Sequence, residues 1–419
     1  MNIIKLVKRF KIYFVNYLWI IFGYVMRLLL IVFIVSKIAD KIGIEDFGWY
    51  NLGISFFTIL TTIAALGFNG SFIIKYLVGH EDGSDIQKKM LGTFLVSRSV
   101  IALIILLLLA SWIIFSRVDN KYWIVFIASA SILFMSGEVL SSYFQRKLQA
   151  HIYISVTTVS LSVTAILLIL GLYLDLSVYY FISIYTLERV ITFIGVCFMF
   201  NKTVFKLSDL QFSFITLKQM FTHSWPLLLG ALLTGIYARF DQFLVKYYLT
   251  INDLGIYGTG VILSQIWLVI PSLIVPVLYP RIVELKKENN PKKYNQTVLL
   301  LYGILNYSAI GIIILTLIFG DLVIRELYGE KYIASIEVLK VLIFSHLILF
   351  QSHLTTSILI LEEKEKFLFK IKLVGVLSNI VFNVIFLANF GIIYAAYSII
   401  ISAFLSWFVL ALFDKAMYN

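Results

Sequence analysis

Ile44-Glu45-Asp46-Phe47-Gly48-Trp49-Tyr50 and Ile251-Asn252-Asp253-Leu254-Gly255-Ile256-Tyr257 are two copies of one pattern, I-x-D-[F/L]-G-x-Y, set 207 residues apart (251 minus 44). Gly53 and Gly260 keep the same register. The offset is close to half of the 419 residues, so the pattern reads as the mark of an internal duplication. An Asp near a helix start with a Gly behind it is a plausible cap, here opening the second and eighth helices of the chain.

Working outward from the two copies, the chain is one apolar run after another. Hydrophobic residues make up 61% and charged residues 14%, against roughly 45–50% and 25% in globular chains. That leaves too little polar surface to enclose a water-soluble core, so lipid is the outer solvent. A lipid-crossing helix needs about 20 apolar residues because its backbone must be satisfied within the segment. Twelve runs meet this: 14–35, 48–70, 91–115, 122–142, 152–174, 177–200, 224–247, 256–279, 297–319, 336–360, 373–389 and 391–413. The gap 201–223 is the longest and leaves no room for a soluble catalytic or nucleotide-binding domain. It divides an N-lobe over 1–200 from a C-lobe over 224–419, six spans each. Six is even, so the halves insert in the same orientation as a parallel repeat, a transporter architecture. The linker 201–223 mixes Lys202, Lys206 and Lys218 with Phe205, Phe212, Phe214 and Phe221. That suits either a helix in the headgroup region or a plain tether.

Loop charge sets the orientation. With the N-terminus inside, the inner segments carry 22 Lys and Arg and the outer loops six, Lys37, Lys41, Arg117, Lys121, Arg325 and Lys331. This asymmetry predicts that both ends are cytoplasmic. It also explains the net charge of +11 without a nucleic acid partner. Lys5, Lys8, Arg9 and Lys11 before an apolar run resemble a secretory signal, but no small-residue cleavage site follows, and the run reads as a retained first helix. Trp49, Trp112 and Trp123 are expected at the outer boundary, Trp19 and Trp225 at the inner one.

Ionisable groups inside spans are costly unless they face a wet cavity or a partner. Arg27 sits on the first span, about 4 Å outward of its midpoint, and Arg239 on the seventh, about 5 Å outward of its own. These are the leading helices of the two lobes, and each Arg is a candidate to line a central cavity or to form a structural salt bridge. Gly23 leaves space beside Arg27. Asp241 points to another side of its helix, with Tyr237 at i−4 or a cation on another helix as its expected partner. A proton-coupling role is the alternative. Glu188 and Arg189 are central in the sixth span, read as a buried pair with neighbouring helices or as substrate contacts. Arg98 either snorkels inward or faces the cavity. Glu138 and Lys246 lie near interfaces. Three central Arg, with Arg98 shallower, outweigh Glu188 and Asp241, and guanidinium forks match phosphate oxygens. The expected ligand is therefore anionic, most economically a phosphate or pyrophosphate.

Other chemistry has no support. No G-x-x-x-x-G-K-[ST], G-x-S-x-G or H-E-x-x-H occurs, so no catalytic residue, metal or cofactor is assigned. His346 and His353 share a helix face about 10.5 Å apart, too far for one metal ion, and read as packing residues. The single Cys197 excludes an internal disulfide framework.

The stretches Ile42-Gly43-x-Glu45-x-Phe47-Gly48-x-Tyr50-Asn51 and Ile63-Ala64-x-Leu66-Gly67-Phe68 resemble the Wzx-type polysaccharide flippases of the multidrug/oligosaccharidyl-lipid/polysaccharide exporter superfamily. Length and two-lobed topology agree across the chain, while the motifs cover about 30 residues. One departure is Val32-Phe33-Ile34-Val35-Ser36, where the family often has a proline late in the first helix, leaving Gly23 as the nearest substitute hinge. The resemblance implies an all-α, MATE-like fold of twelve membrane helices in the bacterial inner membrane. It implies translocation of an undecaprenyl-pyrophosphate-linked oligosaccharide, an O-antigen unit or similar, from the cytoplasmic to the periplasmic leaflet by alternating access. Arg27 and Arg239 are then the positional fits for head-group cations, and a polysaccharide polymerase and chain-length regulator are implied partners beside the lipid-linked glycan and membrane lipid. The rivals are a multidrug exporter of the same superfamily, which should carry an acidic N-lobe cavity, and a non-transport scaffold, which would need neither repeat nor internal charges.

Overall fold

The computed structural model describes residues 18–78, 80–288 and 290–418. Lys5, Lys8, Arg9, Lys11 and the start of the first expected span at 14 lie outside the described residues. Among the described residues every regular element is helical.

Among the described residues eleven helical runs are long and apolar enough to cross a membrane. The first, Leu18–Ala64, has 47 residues, about 70 Å at 1.5 Å per residue and more than twice a bilayer core. Gly43, at φ 87° and ψ 170°, breaks it into α1 (18–42) and α2 (44–64). The eleven runs therefore carry twelve crossings, as the apolar pattern predicts. After α2 come the short α3 (Gly70–Leu77) and the spans α4 (Asp85–Phe115), α5 (Tyr122–Arg146), α6 (Ala150–Tyr173) and α7 (Val178–Thr203). The second half supplies α8 (Phe214–Tyr248), α9 (Ile251–Lys286), α10 (Pro291–Tyr328), α11 (Ala334–Leu361), α12 (Glu365–Phe390) and α13 (Ile393–Leu412). Large apolar side chains such as Leu107, Leu108, Ile114, Leu299 and Ile318 stay exposed on these helices. That is the surface expected where hydrocarbon is the solvent.

Helix starts follow their caps. Asn69 accepts from the Phe72 N–H and Ser84 from the Gln87 N–H, opening α3 and α4. Thr250 is the N-cap of α9, and Asp253, three residues on, completes a reciprocal capping box with it, so the Asp of the repeated pattern supports the cap there without being the cap residue. Irregular helix recurs inside the spans. Residues Ile31–Val35 of α1 are π-helical, with the Ser36 hydroxyl bonding back to the Val32 carbonyl at 2.5 Å. The helical irregularity of α1 thus lies at Ile31–Val35, where the family often has its proline, and not at Gly23. Gly23 instead brings α1 close to the Ile154 side chain of α6. In α5, Ser131–Gly137 tightens to 3₁₀ geometry.

The chain packs as two compact units, one formed by Met1–Ile42 with Trp49–Gly235, the other by Gly43–Gly48 with Ile236–Asn419. The first unit has an aromatic knot in which Phe68 meets Phe72 at 5.7 Å and Phe94 at 4.9 Å, and Tyr143 meets Phe200 at 5.4 Å. Trp49 and Trp112 both meet Tyr122 edge-on, at 5.0 and 5.3 Å. The segment after α7 is bound to this unit: the Ser213 N–H donates to Thr93 Oγ1 at 3.1 Å, and Gly92 lets the Gln211 backbone lie directly on α4. From Phe214 the linker is already α8, one 35-residue rod that carries Pro226 and passes from the first unit to the second after Gly235. The end of α2 fits the same frame. Gly67 has φ 75°, and a Cβ there would strike the Ser224 carbonyl of α8.

The second unit has a core of Ile282, Leu301, Leu305, Ala309, Ile343 and Phe350. It also holds the two copies of the repeated pattern against each other. A Cβ on Gly48 would fall on the Ile251 carbonyl oxygen, and a Cβ on Gly255 would fall on the Ile44 carbonyl oxygen. Residues 44 and 48 thus meet 255 and 251, the reciprocal contact of a local two-fold axis. Phe47 anchors the arm, its ring 6.3 Å from Tyr328 and 6.0 Å from Tyr332, all three fully buried.

Candidate functional site

The intramembrane charges of the first unit gather on α1, α4, α5 and α7. Glu188, 7% exposed, points from α7 toward α1, where Arg27 Nη2 donates to its Oε1 at 2.9 Å. Arg189 Nη1 lies 3.5 Å from the same oxygen. The α7 backbone is held at this point by the Ser160 hydroxyl, which donates to the Glu188 carbonyl at 2.7 Å. The Arg189 guanidinium also sits over the rings of Tyr185 and Phe57, at 5.6 and 5.9 Å, where the ring faces favour a cation. Two guanidiniums sharing one carboxylate leave one net positive charge in a setting where Coulomb terms are strong.

Beside this cluster is a cavity of about 370 Å³ lined by Arg27, Arg189, Glu138, Gln145, Tyr153 and Thr157 among others. Such a volume is in the range of small-molecule sites. Two buried polar atoms next to it, Arg189 Nε and the Thr192 hydroxyl, find no hydrogen-bond partner among the described residues. A buried, unsatisfied donor carries a free-energy cost that an incoming acceptor would remove.

The structure sorts the sequence candidates. Arg27 forms the salt bridge that was its alternative reading, yet its side chain is 33% exposed and lines the cavity. Glu188 bonds to Arg27 of the neighbouring α1, in line with the expected pairing to adjacent helices, and Arg189 approaches the same oxygen. Arg98, expected to snorkel or to face the cavity, does neither: at 3% exposure it donates from Nη2 to Glu138 Oε2 at 2.8 Å. Glu138, read as interfacial, is a cavity wall whose position follows directly after the 3₁₀ stretch of α5. Its Arg98 partner 40 residues away is the signal that finds it, two opposite charges inside consecutive spans. Arg239 and Asp241 belong to the second unit. Asp241, 1% exposed, accepts from the Tyr257 hydroxyl at 2.5 Å and the Gln242 N–H at 2.8 Å. The expected partner Tyr237 is drawn instead to Ser402, 3.3 Å from its hydroxyl. Tyr257 is the last residue of the repeated pattern, and the helix packed alongside outcompetes the i−4 neighbour. Arg239, on the same helix, lies within electrostatic reach of Asp241. His346 is buried with Nε2 2.8 Å from the Ser264 carbonyl, a packing role as read.

Comparison with known proteins identifies the fold and the family. A multidrug resistance MATE family transporter of the MOP superfamily, in an inward-facing conformation, superposes with a TM-score of 0.76 at 14% identity, covering 94% of each chain. The lipid II flippase MurJ, in an inward closed conformation, gives 0.71 at 15% identity, covering 96% of this chain and 87% of its own. The described fold is therefore the two-lobed, MATE-like one. In sequence, a candidate O-antigen transporter of Shigella flexneri is 22% identical over 347 residues, 78% of this chain and 80% of that protein. The profile described as "Polysaccharide biosynthesis protein" matches residues 42–337, from the break before α2 into α11. The chain belongs to that polysaccharide biosynthesis family of multi-pass membrane proteins.

Proposed function

We propose that the protein is a flippase that carries a lipid-linked oligosaccharide across the bilayer, with a phosphate or pyrophosphate head group held by Arg27 and Arg189. The observation that carries this reading is the pair of guanidiniums sharing one Glu188 oxygen beside a polar cavity of about 370 Å³. The net positive charge suits an anion, and a fork of N–H groups suits phosphate oxygens in particular. The O-antigen function ascribed to the Shigella flexneri relative and the lipid II function of MurJ support the substrate class.

The physical barrier to flipping is the glycan. Each hydroxyl dragged through hydrocarbon without a partner costs several kcal/mol by water-to-alkane scales. Gln145, Tyr153 and Thr157 in the cavity wall offer such partners, while the apolar chain of the carrier stays in the bilayer. Alternating exposure of the cavity to the two leaflets completes the cycle. No bond is made or broken, so transport is the whole reaction. The basic loops favour cytoplasmic termini and hence export from the cytoplasmic leaflet of the inner membrane toward the periplasm. In this reading Arg98 holds Glu138 in the wall, and Arg239 supplies a cation on the leading helix of the second half. Asp241 balances Arg239, and Glu188 balances Arg27 and Arg189. A multidrug exporter of organic cations would need a free carboxylate where Glu188 is already claimed by two guanidiniums.

The test is complementation of a flippase-null strain, read as surface polysaccharide. Arg27→Ala and Arg189→Ala are each expected to abolish it while the protein still reaches the membrane, and Arg27→Lys to restore it in part. Full complementation by both Ala variants refutes the proposal.

A further inference from the structure

A second cavity lies in the first unit, away from the charged one and with none of its lining residues. It has a volume of about 470 Å³ between α4 and the linker, with walls that include Val96, Val100, Phe212, Phe214 and Phe221, and Lys218 as its single charged residue. Val96 and Val100 are 11 and 15 residues along α4, about 16–22 Å from its start and so within the hydrocarbon of the bilayer. All five apolar side chains are exposed, Phe214 by 70%, although the segment carrying the three Phe is tied down by the Ser213 bond to Thr93. The groove is thus a fixed apolar surface that none of the described residues covers.

Water cannot fill it, because an ordered water needs two to four polar partners. The one hydroxyl in the wall, Ser97, is already bonded to the Thr93 and Phe94 carbonyls at 2.6 and 3.2 Å. The occupant must be hydrocarbon. Lys218 selects its other end: among the described residues no carboxylate lies within salt-bridge distance of its ammonium, and a long Lys stem can lie along an apolar wall with its charge at the headgroup level. We infer that this groove is a binding site for one anionic phospholipid of the surrounding membrane, an acyl chain lying against Val96, Val100 and the linker phenylalanines and its phosphate paired with Lys218. The inference does not depend on the transport reading.

The experiment uses the full chain, purified and stripped of lipid in detergent, with native mass spectrometry to count retained lipid. Phosphatidylglycerol and phosphatidylcholine of identical chains are compared, with a long-chain polyprenyl phosphate as competitor. The wild type is expected to retain one phosphatidylglycerol about tenfold more tightly than phosphatidylcholine. Lys218→Gln, an exposed substitution that leaves the groove intact, should erase that preference, and Val100→Trp should remove binding of both lipids. Equal retention of the two lipids by wild type and Lys218→Gln overturns the inference. So does displacement of phosphatidylglycerol by equimolar polyprenyl phosphate, which would assign the groove to the transported carrier.

Discussion

Glu188→Gln removes one negative charge on which two guanidiniums depend. The substitution keeps the size of the side chain and one acceptor oxygen, so the Arg27 contact at 2.9 Å persists as a weaker, neutral hydrogen bond while Arg189 at 3.5 Å loses its counter-charge. Removing one partner of a buried pair costs about 3–5 kcal/mol. Arg27 is one-third exposed at the cavity, which lowers the expectation to about 2–3 kcal/mol, or roughly 5–10 °C in melting temperature for a unit of this size. The same change raises the net charge beside the cavity from one to two. An added unit charge about 4 Å from a bound anion is worth about 4 kcal/mol at an effective dielectric of 20. Hydration of the cavity cuts this to about a third, or about tenfold in affinity. Thermal unfolding in detergent with increasing inorganic pyrophosphate reads both effects. Glu188→Gln should melt earlier than wild type without anion and be stabilised more by it, while surface polysaccharide falls because release becomes slow. If the variant melts earlier and pyrophosphate stabilises it no more than wild type, the guanidinium cluster is a structural pin and the head-group assignment is wrong.

Three further outcomes follow from the packing. Gly255→Ala and Gly48→Ala each drive a methyl into a carbonyl oxygen of the opposing copy, so each should cost about 2–3 kcal/mol in thermal unfolding. The double variant should cost less than the sum because both act at one crossing. Arg98→Met leaves the half-exposed Glu138 carboxylate without its buried partner and should cost about 1–2 kcal/mol, most of which Arg98→Met with Glu138→Leu recovers, measured by the same unfolding assay. Tyr257→Phe removes the hydroxyl that donates to the buried Asp241 carboxylate and should destabilise by about 1.5–3 kcal/mol, whereas Tyr237→Phe, whose hydroxyl meets Ser402 at 3.3 Å, should cost under about 1.5 kcal/mol.

What the sequence makes legible and what it hides divide along physical lines. The twelve crossings are readable because lipid imposes a length and a polarity on every span, and the break at Gly43 sits directly before the first copy of the repeated pattern. The repeat is readable as a pattern, but its meaning is not. Periodicity says that Gly48 and Gly255 are equivalent, and only the fold says that each is small so that the other copy's carbonyl can lie on it. Charges within spans are readable as functional candidates because each is expensive. Their pairings are not, since Arg27 and Glu188 are 161 residues apart and helix adjacency decides who meets whom. The i−4 rule misassigned Asp241 for that reason. Glu138 was set aside for its nearness to an interface. The 3₁₀ stretch before it and the buried Arg98 across from it bring it into the cavity wall instead.

The arm Gly43–Gly48 has a consequence for biogenesis. It is synthesised among the first helices, yet its packing partners, Ile251, Gly255, Tyr328 and Tyr332, emerge only after more than half of the polypeptide has been inserted. Until then the buried ring of Phe47 and the close-approach face of Gly48 have no mate. The early helices therefore wait in a partly assembled state, exposed to quality-control proteases, and docking of this arm is a late, irreversible-looking click that reports completion of the chain. Expressed alone, the first half would lack that click and be degraded, and co-expression of the second half as a separate polypeptide would protect it.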